Sequence, residues 1–363
     1  MTEGGKKMRV LFVDSGAMGF HYRYAYDIFV TLKKMKHHVR QIGPRKLSSG
    51  LIKEFRPEVL LVVHGNRTPL EQVHYARSLG VKTVLWLVED PYEIDLHRGP
   101  MVEAYDLVFT NERQAVAEYN HPRVFYLPWC CNPEVHRRLK TEEEYQSDLC
   151  FVGMGFPNRL KVLNAIAPFL KKLNVKLIGV WNRWGELHPD LRKFVRPVIH
   201  DFHEVQKYFN GAKINLNIHR DPVDPPSGNS RGVGATSPND RAFALAGCGA
   251  FQIVDSTRPD LFKYFTPDKE IVNFSTPDDL AEKIKYYLGK RKLRRQIGDA
   301  AHQRAYREHT YYHRLQQIFA EVAKLPSSYW ARVSLRRPVA FSFHDGYLQQ
   351  DGIWTFEPPR GVK

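Results

Sequence analysis

The sequence predicts an α/β protein made of two facing, doubly wound domains with a deep inter-domain cleft. Short apolar segments alternate with longer helical segments along the chain, which is typical of parallel sheets covered by helices on both faces. A strand, a glycine-containing loop and a helix follow one another at 9–35, and the same pattern begins again at 149–172. This second start predicts two domains of similar architecture, each with its own sheet.

The first predicted domain covers 1–130. Its first strand, 9–13, leads through a loop with Gly16 and Gly19 into a helix at 22–35. The loop is not G-x-G-x-x-G, so the dinucleotide-binding motif is absent. Further strands are expected at 39–42, 59–63, 83–87, 107–109 and 124–127, and helices at 69–79 and 112–119.

The second predicted domain covers 149–325 and follows a crossing segment, 131–148, that contains Pro133 and a charged run. Its strands are expected at 149–152, 175–178, 214–218, 251–254 and 271–274. Its helices are expected at 158–172, after the Thr276 cap to 288, at 293–307 and at 311–325. The last segment, 326–363, is rich in proline and aromatic residues, and we expect it to pack back on the N-terminal domain.

Composition restricts the class of protein and its partners. The 363 residues include no run of 18 apolar residues, so no transmembrane helix is predicted. The four cysteines lack a metal-ligand spacing, and the apolar run at 10–13 is too short for a signal peptide, which together favour a cytoplasmic protein. The net charge of +15 favours an anionic partner.

Basic residues are concentrated in two segments, 33–40 and 290–295, in or beside predicted helices. A solvated surface is the usual explanation. The alternative is weak contact with a polyanion or with the inner face of an anionic membrane. No recognition helix, zinc finger or aromatic RNA-binding motif is present, so we expect no sequence-specific nucleic-acid binding.

The stretch 237–255 is the first candidate site. Ser237 is expected to cap a helix that starts at Pro238, with Asp240 completing a capping box and Gly247 and Gly249 ending the helix. A helix N-terminus offers unpaired N–H groups and a positive dipole end, which suit a diphosphate. The alternative is an ordinary joint between a helix and the strand that follows it.

Two loops after predicted strands carry further candidates for anion binding. In the second domain, Gly153 is followed by Arg159 and Lys161 at the start of a helix, where a guanidinium can bond two phosphate oxygens. In the first domain, Gly16 and Gly19 would line the opposite wall of the cleft. The alternative for the two cations is a pair of ordinary surface residues.

Three residues at strand ends are candidates for proton transfer. Glu89 and Asp90 follow the strand at 83–87, where they would orient an acceptor hydroxyl or act as a base. His219 ends a strand in which Asn217 is an unusual amide, although a purely structural histidine is the more common case. No cluster of His or Asp stands beside them in sequence, so no metal site is expected.

Several of these segments, taken in order, resemble the spore-maturation CgeB family, cytoplasmic glycosyltransferase-like proteins of the GT-B fold. The similarity covers 148–319 almost completely and the first half more loosely. It is carried by 86–91, 126–129, 148–153 with Arg159, 216–217, and 239–243 with Cys248 and Gly249.

The resemblance implies two Rossmann-like domains and a nucleotide-diphosphate-sugar donor held mainly by the second one. It also implies an acceptor on the first domain and chemistry without a required metal or a tightly bound cofactor. A UDP- or dTDP-linked sugar is the expected donor. The donor-binding residues would be Gly16, Gly19, Gly153, Arg159, Lys161, Asn217, Asn239, Arg241, Ala244, Gly247 and Gly249.

One position departs from the pattern of related retaining enzymes. Those enzymes carry a glutamate three residues after the position of Arg241, where it binds the donor ribose, whereas this chain has Ala244. The expected function is sugar transfer to a surface polymer, a protein or a small molecule. The alternatives are a non-catalytic protein of this fold, whose basic surface binds nucleic acid or an assembly partner, and a DNA-modifying glycosyltransferase.

Overall fold

The computed structural model describes residues 6–16 and 20–326 and the backbone of two short strands at 348–350 and 353–355. The described chain forms two six-stranded parallel sheets, each flanked by helices. The predicted α/β class and the two-sheet organisation are therefore confirmed. In the described part of the chain, we find no helix with the length and apolar surface that a bilayer-spanning segment requires.

The first sheet has the strand order β2-β1-β3-β4-β5-β6. Its core strands are completely buried, because helices cover both faces and a parallel sheet of this kind leaves no solvated side. The elements are β1 Arg9–Val13, α1 Phe20–Lys34, β2 His38–Ile42, α2 Ser49–Phe55, β3 Val59–Val63, α3 Leu70–Ser78, β4 Lys82–Leu87, α4 Ile94–His97, α5 Pro100–Glu103, β5 Leu107–Thr110 and β6 Val124–Tyr126.

The second sheet has the strand order β12-β11-β10-β7-β8-β9. The order reverses between β10 and β7, so a ligand crevice is expected where these two strands end. The elements are β7 Ser147–Val152, α6 Pro157–Ala165, α7 Ala167–Leu170, β8 Val175–Ile178, α8 Pro189–Arg192, β9 Val195–Arg196, α9 Phe202–Gly211, β10 Ala212–Asn217, α10 Asp240–Gly247, β11 Gln252–Asp255, α11 Leu261–Tyr264, β12 Val272–Phe274, α12 Pro277–Leu288, α13 Arg291–Glu308 and α14 Tyr311–Lys324.

The two halves are joined through a shared apolar core. Helix α14 returns to the first half, where Lys82 donates a hydrogen bond to the carbonyl of Val322 at 3.1 Å. The guanidinium of Arg314 donates to the carbonyls of Pro128 and Trp129 at 2.7 and 2.9 Å. One buried cluster runs from the first sheet through α14 to Phe243 on α10. The domain limits expected from the sequence stay a prediction. Helix α14 belongs to the second half of the sequence, but it packs against the first half.

Three local expectations differ from the structure. The segment expected as a helix at 112–119 forms a short 3-10 helix, Gln114–Glu118, and the helix expected at 158–172 is divided into α6 and α7. Helix α9 was not predicted. Most of the tail 326–363 lies outside the described residues. The described part beyond residue 326 is the antiparallel pair of β13 Leu348–Gln350 and β14 Ile353–Thr355. The packing of the tail on the N-terminal domain stays a prediction.

Candidate active site

A cavity of about 280 Å³ lies at the ends of β7 and β8, beside the switch in strand order. The cavity is lined by α1 of the first half, by the second sheet and by the first turn of α10. The lining residues are Arg23, Val152, Gly153, Met154, Ile178, Gly179, Val198, Ile199, His200, Phe202, Val205, Phe209, Asp240, Arg241 and Ala244. Gly153, Arg241 and Ala244 were expected in the site.

Two glycines allow the loops after β7 and β8 to approach each other and the guanidinium of Arg241. A Cβ on Gly153 would lie 2.8 Å from Nη2 of Arg241. A Cβ on Gly179, which has φ of 136°, would lie 1.9 Å from the carbonyl oxygen of Gly153. A side chain at either position would therefore occupy space that the site uses.

Helix α10 begins two residues later than the sequence indicated. The cap is Asn239, whose side chain accepts a hydrogen bond from the backbone N–H of Ala242 at 3.1 Å. Ser237 was expected in this role, but its hydroxyl accepts from the backbone N–H of Arg113 in the first half at 3.0 Å. The first turn, with its positive dipole end, is therefore formed by Asp240 and the residues after it rather than by Pro238.

Amide and guanidinium groups form one chain of hydrogen bonds at the start of α10. The buried side chain of Asn217 bonds that of Asn239 at 2.9 Å, and Nη1 of Arg241 donates to Oδ1 of Asn217 at 3.0 Å. Gln252 bonds Asn217 from the neighbouring strand at 3.4 Å. The unusual amide within β10 thus orients Arg241, since each of its partners also holds a fixed position.

Four arginines lie beside this helix, and among the described residues none of them forms a direct ion pair with a carboxylate. Arg159 and Arg241 lie over the same ring, that of Phe151, at 5.5 and 5.2 Å. Burial and the neighbouring Arg241 lower the pKa of Arg159 to about 9. Burial also lowers the pKa of Arg241. The other two members of the group are Arg220 and Arg258.

The hydrogen bonds of these arginines go mainly to neutral oxygens. Arg159 donates to the carbonyls of Ile218 and Met154, both at 2.9 Å, and Arg258 donates to the carbonyl of Arg220 at 2.5 Å. Carbonyl oxygens satisfy the N–H groups but carry no full negative charge, and the nearby carboxylates, such as Asp240 and Glu89, act on these arginines without a direct ion pair. The group is therefore suited to an anion with several oxygens.

His219 lies buried at the end of β10 and is paired with Asp255. Its Nδ1 is 2.9 Å from Oδ2 of Asp255, and the same oxygen accepts from the His219 backbone N–H at 2.6 Å. Burial lowers the pKa of His219, while Asp255 acts in the opposite direction. Nε2 has no hydrogen-bond partner among the described residues.

The adjacent carboxylates of the first half have different surroundings. Asp90 is 1% exposed, and its oxygens bond His97, Thr110 and Tyr119 at 2.6 to 2.8 Å. This network points Asp90 into the first half rather than into the cleft.

Glu89 is half-buried and faces the second half. Burial, together with the charges of Glu93 and Asp240, raises the pKa of Glu89 to about 8, whereas Arg220 acts to lower it. The influence of Asp240 and Arg220 indicates that Glu89, unlike Asp90, lies near charged residues of the second half.

The remaining expected site residues lie elsewhere. Gly16 lies in the loop after β1 with φ of 62°, where a Cβ would be 2.7 Å from Pro44, and Lys161 is exposed on α6 outside the cavity. Gly247 packs against Cys131 and His136 at the far end of α10. Gly249 ends that helix with φ of 63°, as expected, and Gly19 lies outside the described residues.

Two contributions to the site escaped the sequence analysis. Arg23 on α1 forms an ion pair with Asp240 at 2.5 Å, across the boundary between the two halves. No local pattern marks such a pair, because its partners are 217 positions apart. Helix α9 supplies an apolar wall through Phe202, Val205 and Phe209, and Asp201 caps it. The spacing of these three apolar residues and the cap were visible in the sequence.

Several solved structures share this architecture at low sequence identity, glycosyltransferases among them. The chain has a TM-score of 0.63 and 13% identity to an alpha-glucosyltransferase in complex with UDP and a 13-mer DNA, covering 88% of this chain and 100% of that one. For a sucrose-phosphate synthase from Thermosynechococcus elongatus the values are 0.60 and 10%, covering 87% and 99%. For a glycosyltransferase from Rickettsia africae ESF-5 they are 0.61 and 12%, covering 89% and 100%.

Residues 159–320 match the family model described as glycosyl transferase-like. This segment contains the arginine group, α9 and α10. This part of the chain is therefore similar to glycosyl transferase-like proteins, and the two-sheet architecture is that of the GT-B fold. Among curated proteins, the chain is similar to Spore protein CgeB of Bacillus subtilis (strain 168), with 26% identity over 296 residues, which cover 77% of this chain and 88% of the relative. The predicted resemblance to CgeB is thereby confirmed.

Proposed function

We propose that this protein transfers a sugar from a nucleotide-diphosphate donor to an acceptor bound at the first half. The observation that carries the proposal is the group of arginines beside the first turn of α10 that form no direct ion pair among the described residues. A diphosphate supplies the negative charge that this group lacks, and the N–H groups of the first turn add donors to its oxygens. A UDP- or dTDP-linked sugar fits this arrangement, and the alpha-glucosyltransferase of similar fold was solved with UDP.

We propose that the arginines, rather than a divalent ion, balance the charge that develops on the leaving diphosphate. Fixed guanidinium groups in a poorly solvated site stabilise such charge strongly, because they need no reorganisation during the reaction. No tightly bound cofactor enters this scheme. Loss of activity on treatment with a chelator, followed by recovery with magnesium alone, would contradict it.

Glu89 is the proposed acceptor-side group, since it stands on the wall facing Asp240 and Arg220. His219 is its proposed counterpart on the donor side, where Asp255 fixes the imidazole through Nδ1. A carboxyl group at the acceptor hydroxyl and an oriented imidazole near the leaving group are both suited to positioning and proton transfer. We expect the protein to act in the cytoplasm, with any contact at the membrane face being peripheral.

A ligand screen followed by a turnover assay tests the proposal. Thermal shift with UDP, dTDP, ADP and GDP should identify a stabilising nucleotide, because a ligand at 100 times its Kd adds about 2.7 kcal/mol of stability. The matching nucleotide sugar should then release free nucleoside diphosphate only when an acceptor is supplied. Binding without any turnover over a broad acceptor panel would favour the non-catalytic alternative.

A further inference from the structure

A second group of ligand-type side chains lies in the first half, away from the arginine group. His64 follows β3, while Glu93 and His97 belong to the segment after β4. Because β3 and β4 are neighbouring parallel strands, the sheet brings these three side chains to one edge. One ligand atom from each lies within 4.8 Å of the other two. The sequence alone did not indicate the group, since 33 positions separate its ends.

Two of the three ligand atoms already lie close to each other. Nε2 of His64 is 3.4 Å from Oε2 of Glu93. Nδ2 of Asn66 bonds both atoms, at 3.0 and 2.8 Å. The amide therefore occupies the place between two acceptors that a cation would take. Rotation of the Asn66 side chain is sufficient to vacate it.

His97 supplies an independent observation. Its side chain is completely buried, and its Nδ1 is held by Oδ1 of Asp90 at 2.6 Å. Nε2 has no hydrogen-bond partner among the described residues. A buried ring nitrogen left without a partner is unfavourable. A carboxylate on one nitrogen and an unsatisfied second nitrogen is the arrangement that metal-binding histidines typically have.

We propose that His64, Glu93 and His97 bind one divalent transition-metal ion, with zinc as the best fit. Two imidazoles and one carboxylate form a common zinc ligand set, with ligand distances of about 2.0–2.2 Å. In tetrahedral geometry such ligands are roughly 3.3–3.5 Å apart, so the His64–Glu93 pair at 3.4 Å already has the required spacing. The ligand atom of His97 lies within 4.8 Å of the other two, so His97 must move closer to complete the site.

The side chain of Glu93 is 36% exposed, whereas those of His64 and His97 are 9% and 0% exposed. The ion thus has an entry path from solvent, and a water molecule can complete its coordination. Asp90, through its bonds to Thr110 and Tyr119, fixes the orientation of His97 as a positioning residue. The buried hydrogen bonds of Asp90 would therefore orient a metal ligand as well as stabilise the fold. The site is distinct from the diphosphate chemistry proposed above, which uses arginines.

Metal binding by the full-length protein tests the proposal. Protein stripped with a chelator should take up one equivalent of Zn²⁺, measured by calorimetry and by elemental analysis after gel filtration. Titration with Co²⁺ should give the intense visible absorption of a tetrahedral ion. We expect Glu93→Gln to weaken Zn²⁺ binding at least tenfold and His64→Asn to weaken it further. Asparagine suits position 64, since φ there is 71° and this residue type tolerates the left-handed region.

Two substitutions serve as matched controls. His74→Asn and Glu71→Gln change the same residue types on α3 at exposed positions and should leave stoichiometry and affinity unchanged. If His64→Asn fails to fold, Glu93→Gln decides, because its partly exposed side chain can be replaced without opening the core. Wild-type protein that takes up no Zn²⁺, or uptake that is equal in Glu93→Gln and the controls, would overturn the proposal. Nucleoside-diphosphate binding by the metal-free protein is expected to persist, so the two proposals fail or survive separately.

Discussion

At the scale of single residues, Arg241 has the most direct role in the proposed donor site. It lines the cavity, and its Nη1 donates a hydrogen bond to the side chain of Asn217 at 3.0 Å. We expect Arg241→Ala to weaken nucleoside-diphosphate binding tenfold or more, because a charge-assisted bond contributes about 1.5–3 kcal/mol. Calorimetry measures the effect. Lys161→Ala, an exposed change on α6, is the control and should bind normally.

Arg159 needs a separate measurement, because it also contributes to folding. Its bonds to the carbonyls of Ile218 and Met154 would be lost together with its charge in Arg159→Ala. We therefore expect both a lower melting temperature and weaker binding for that variant. Wild-type affinity in both Arg159→Ala and Arg241→Ala would place the diphosphate elsewhere.

Ala244 leads to a prediction about the donor ribose. Its side chain cannot accept a hydrogen bond, and the polar residues nearest in sequence are already engaged. Asn239 caps α10, Asp240 pairs with Arg23, and Asp255 bonds His219. We therefore expect 2′-deoxy-UDP to bind about as well as UDP, since no buried contact to the 2′-hydroxyl is lost. Side-by-side dissociation constants decide this. A hundredfold preference for UDP would show that another residue holds the ribose.

Glu89 and Asp90 are adjacent but should respond differently to removal of their charge. Glu89→Gln should lower turnover and leave donor affinity unchanged, because the side chain faces the second half from the acceptor wall. Asp90→Asn should instead lower the melting temperature, because three buried partners lose a charged acceptor. Steady-state kinetics and thermal denaturation of both variants separate these outcomes. Normal turnover in Glu89→Gln would remove it from the proposed chemistry.

At the scale of elements, the glycines after β7 and β8 provide a matched pair. In Gly153→Ala the new methyl group meets the far end of the flexible Arg241 side chain at 2.8 Å. We expect this variant to fold normally and to bind the nucleotide more weakly, because the guanidinium is displaced. In Gly179→Ala the methyl group would meet backbone at 1.9 Å with an unfavourable φ, so loss of stability is expected. Thermal denaturation and calorimetry should show opposite patterns, and a strongly destabilised Gly153→Ala would contradict this account of its loop.

The strands were predictable because a buried parallel strand is a short apolar run in the sequence. The predicted strands at 59–63 and 175–178 coincide with β3 and β8. The start of α10 was less predictable, because Ser237 and Asn239 are both good caps. The choice depends on the Arg113 backbone N–H, which engages Ser237 from the other half. The sequence around residues 237–239 cannot show that a backbone group from the other half will bind Ser237.

The same limit applies to the functional residues. Arg241, Gly153 and Ala244 were indicated by position in one half of the chain, and they meet at the cavity. The ion pair of Arg23 with Asp240 and the approach of His64 to Glu93 require the assembled fold. The spacing of residues in the sequence can identify functional groups on a single loop or helix. These two pairs instead join separate elements that the folded chain brings together.

At the scale of the whole molecule, the two halves form one unit around the cleft. The Arg23–Asp240 pair closes one side, and Arg113 pairs with Asp260 at 2.7 Å on another. Glu112 accepts from the backbone N–H groups of Thr236 and Ser237. These contacts link the first half to the segment immediately before α10, so they fix the proposed donor site relative to the first half.

The net charge of +15 belongs to the whole chain, and some residues of the two basic segments already have partners within the protein. In the basic segment 290–295, Arg294 is buried and bonds the carbonyls of Tyr287 and Leu288, whereas the side chain of Arg295 is 81% exposed. In the segment 33–40, Lys34 pairs with Glu134. Only part of each segment is therefore available to an anionic surface.

We accordingly expect weak, sequence-independent binding to DNA and heparin. With about three phosphate contacts, the affinity should fall ~40-fold between 50 and 200 mM salt. Fluorescence anisotropy with two unrelated duplexes measures it. The charge reversals Lys292→Glu and Arg295→Glu should reduce binding more than Lys269→Glu, a comparable change at an exposed position outside the segment. Nanomolar binding of one duplex and not the other in physiological salt would contradict this expectation and favour a DNA-modifying glycosyltransferase, because discrimination requires contacts to bases that charge alone does not provide.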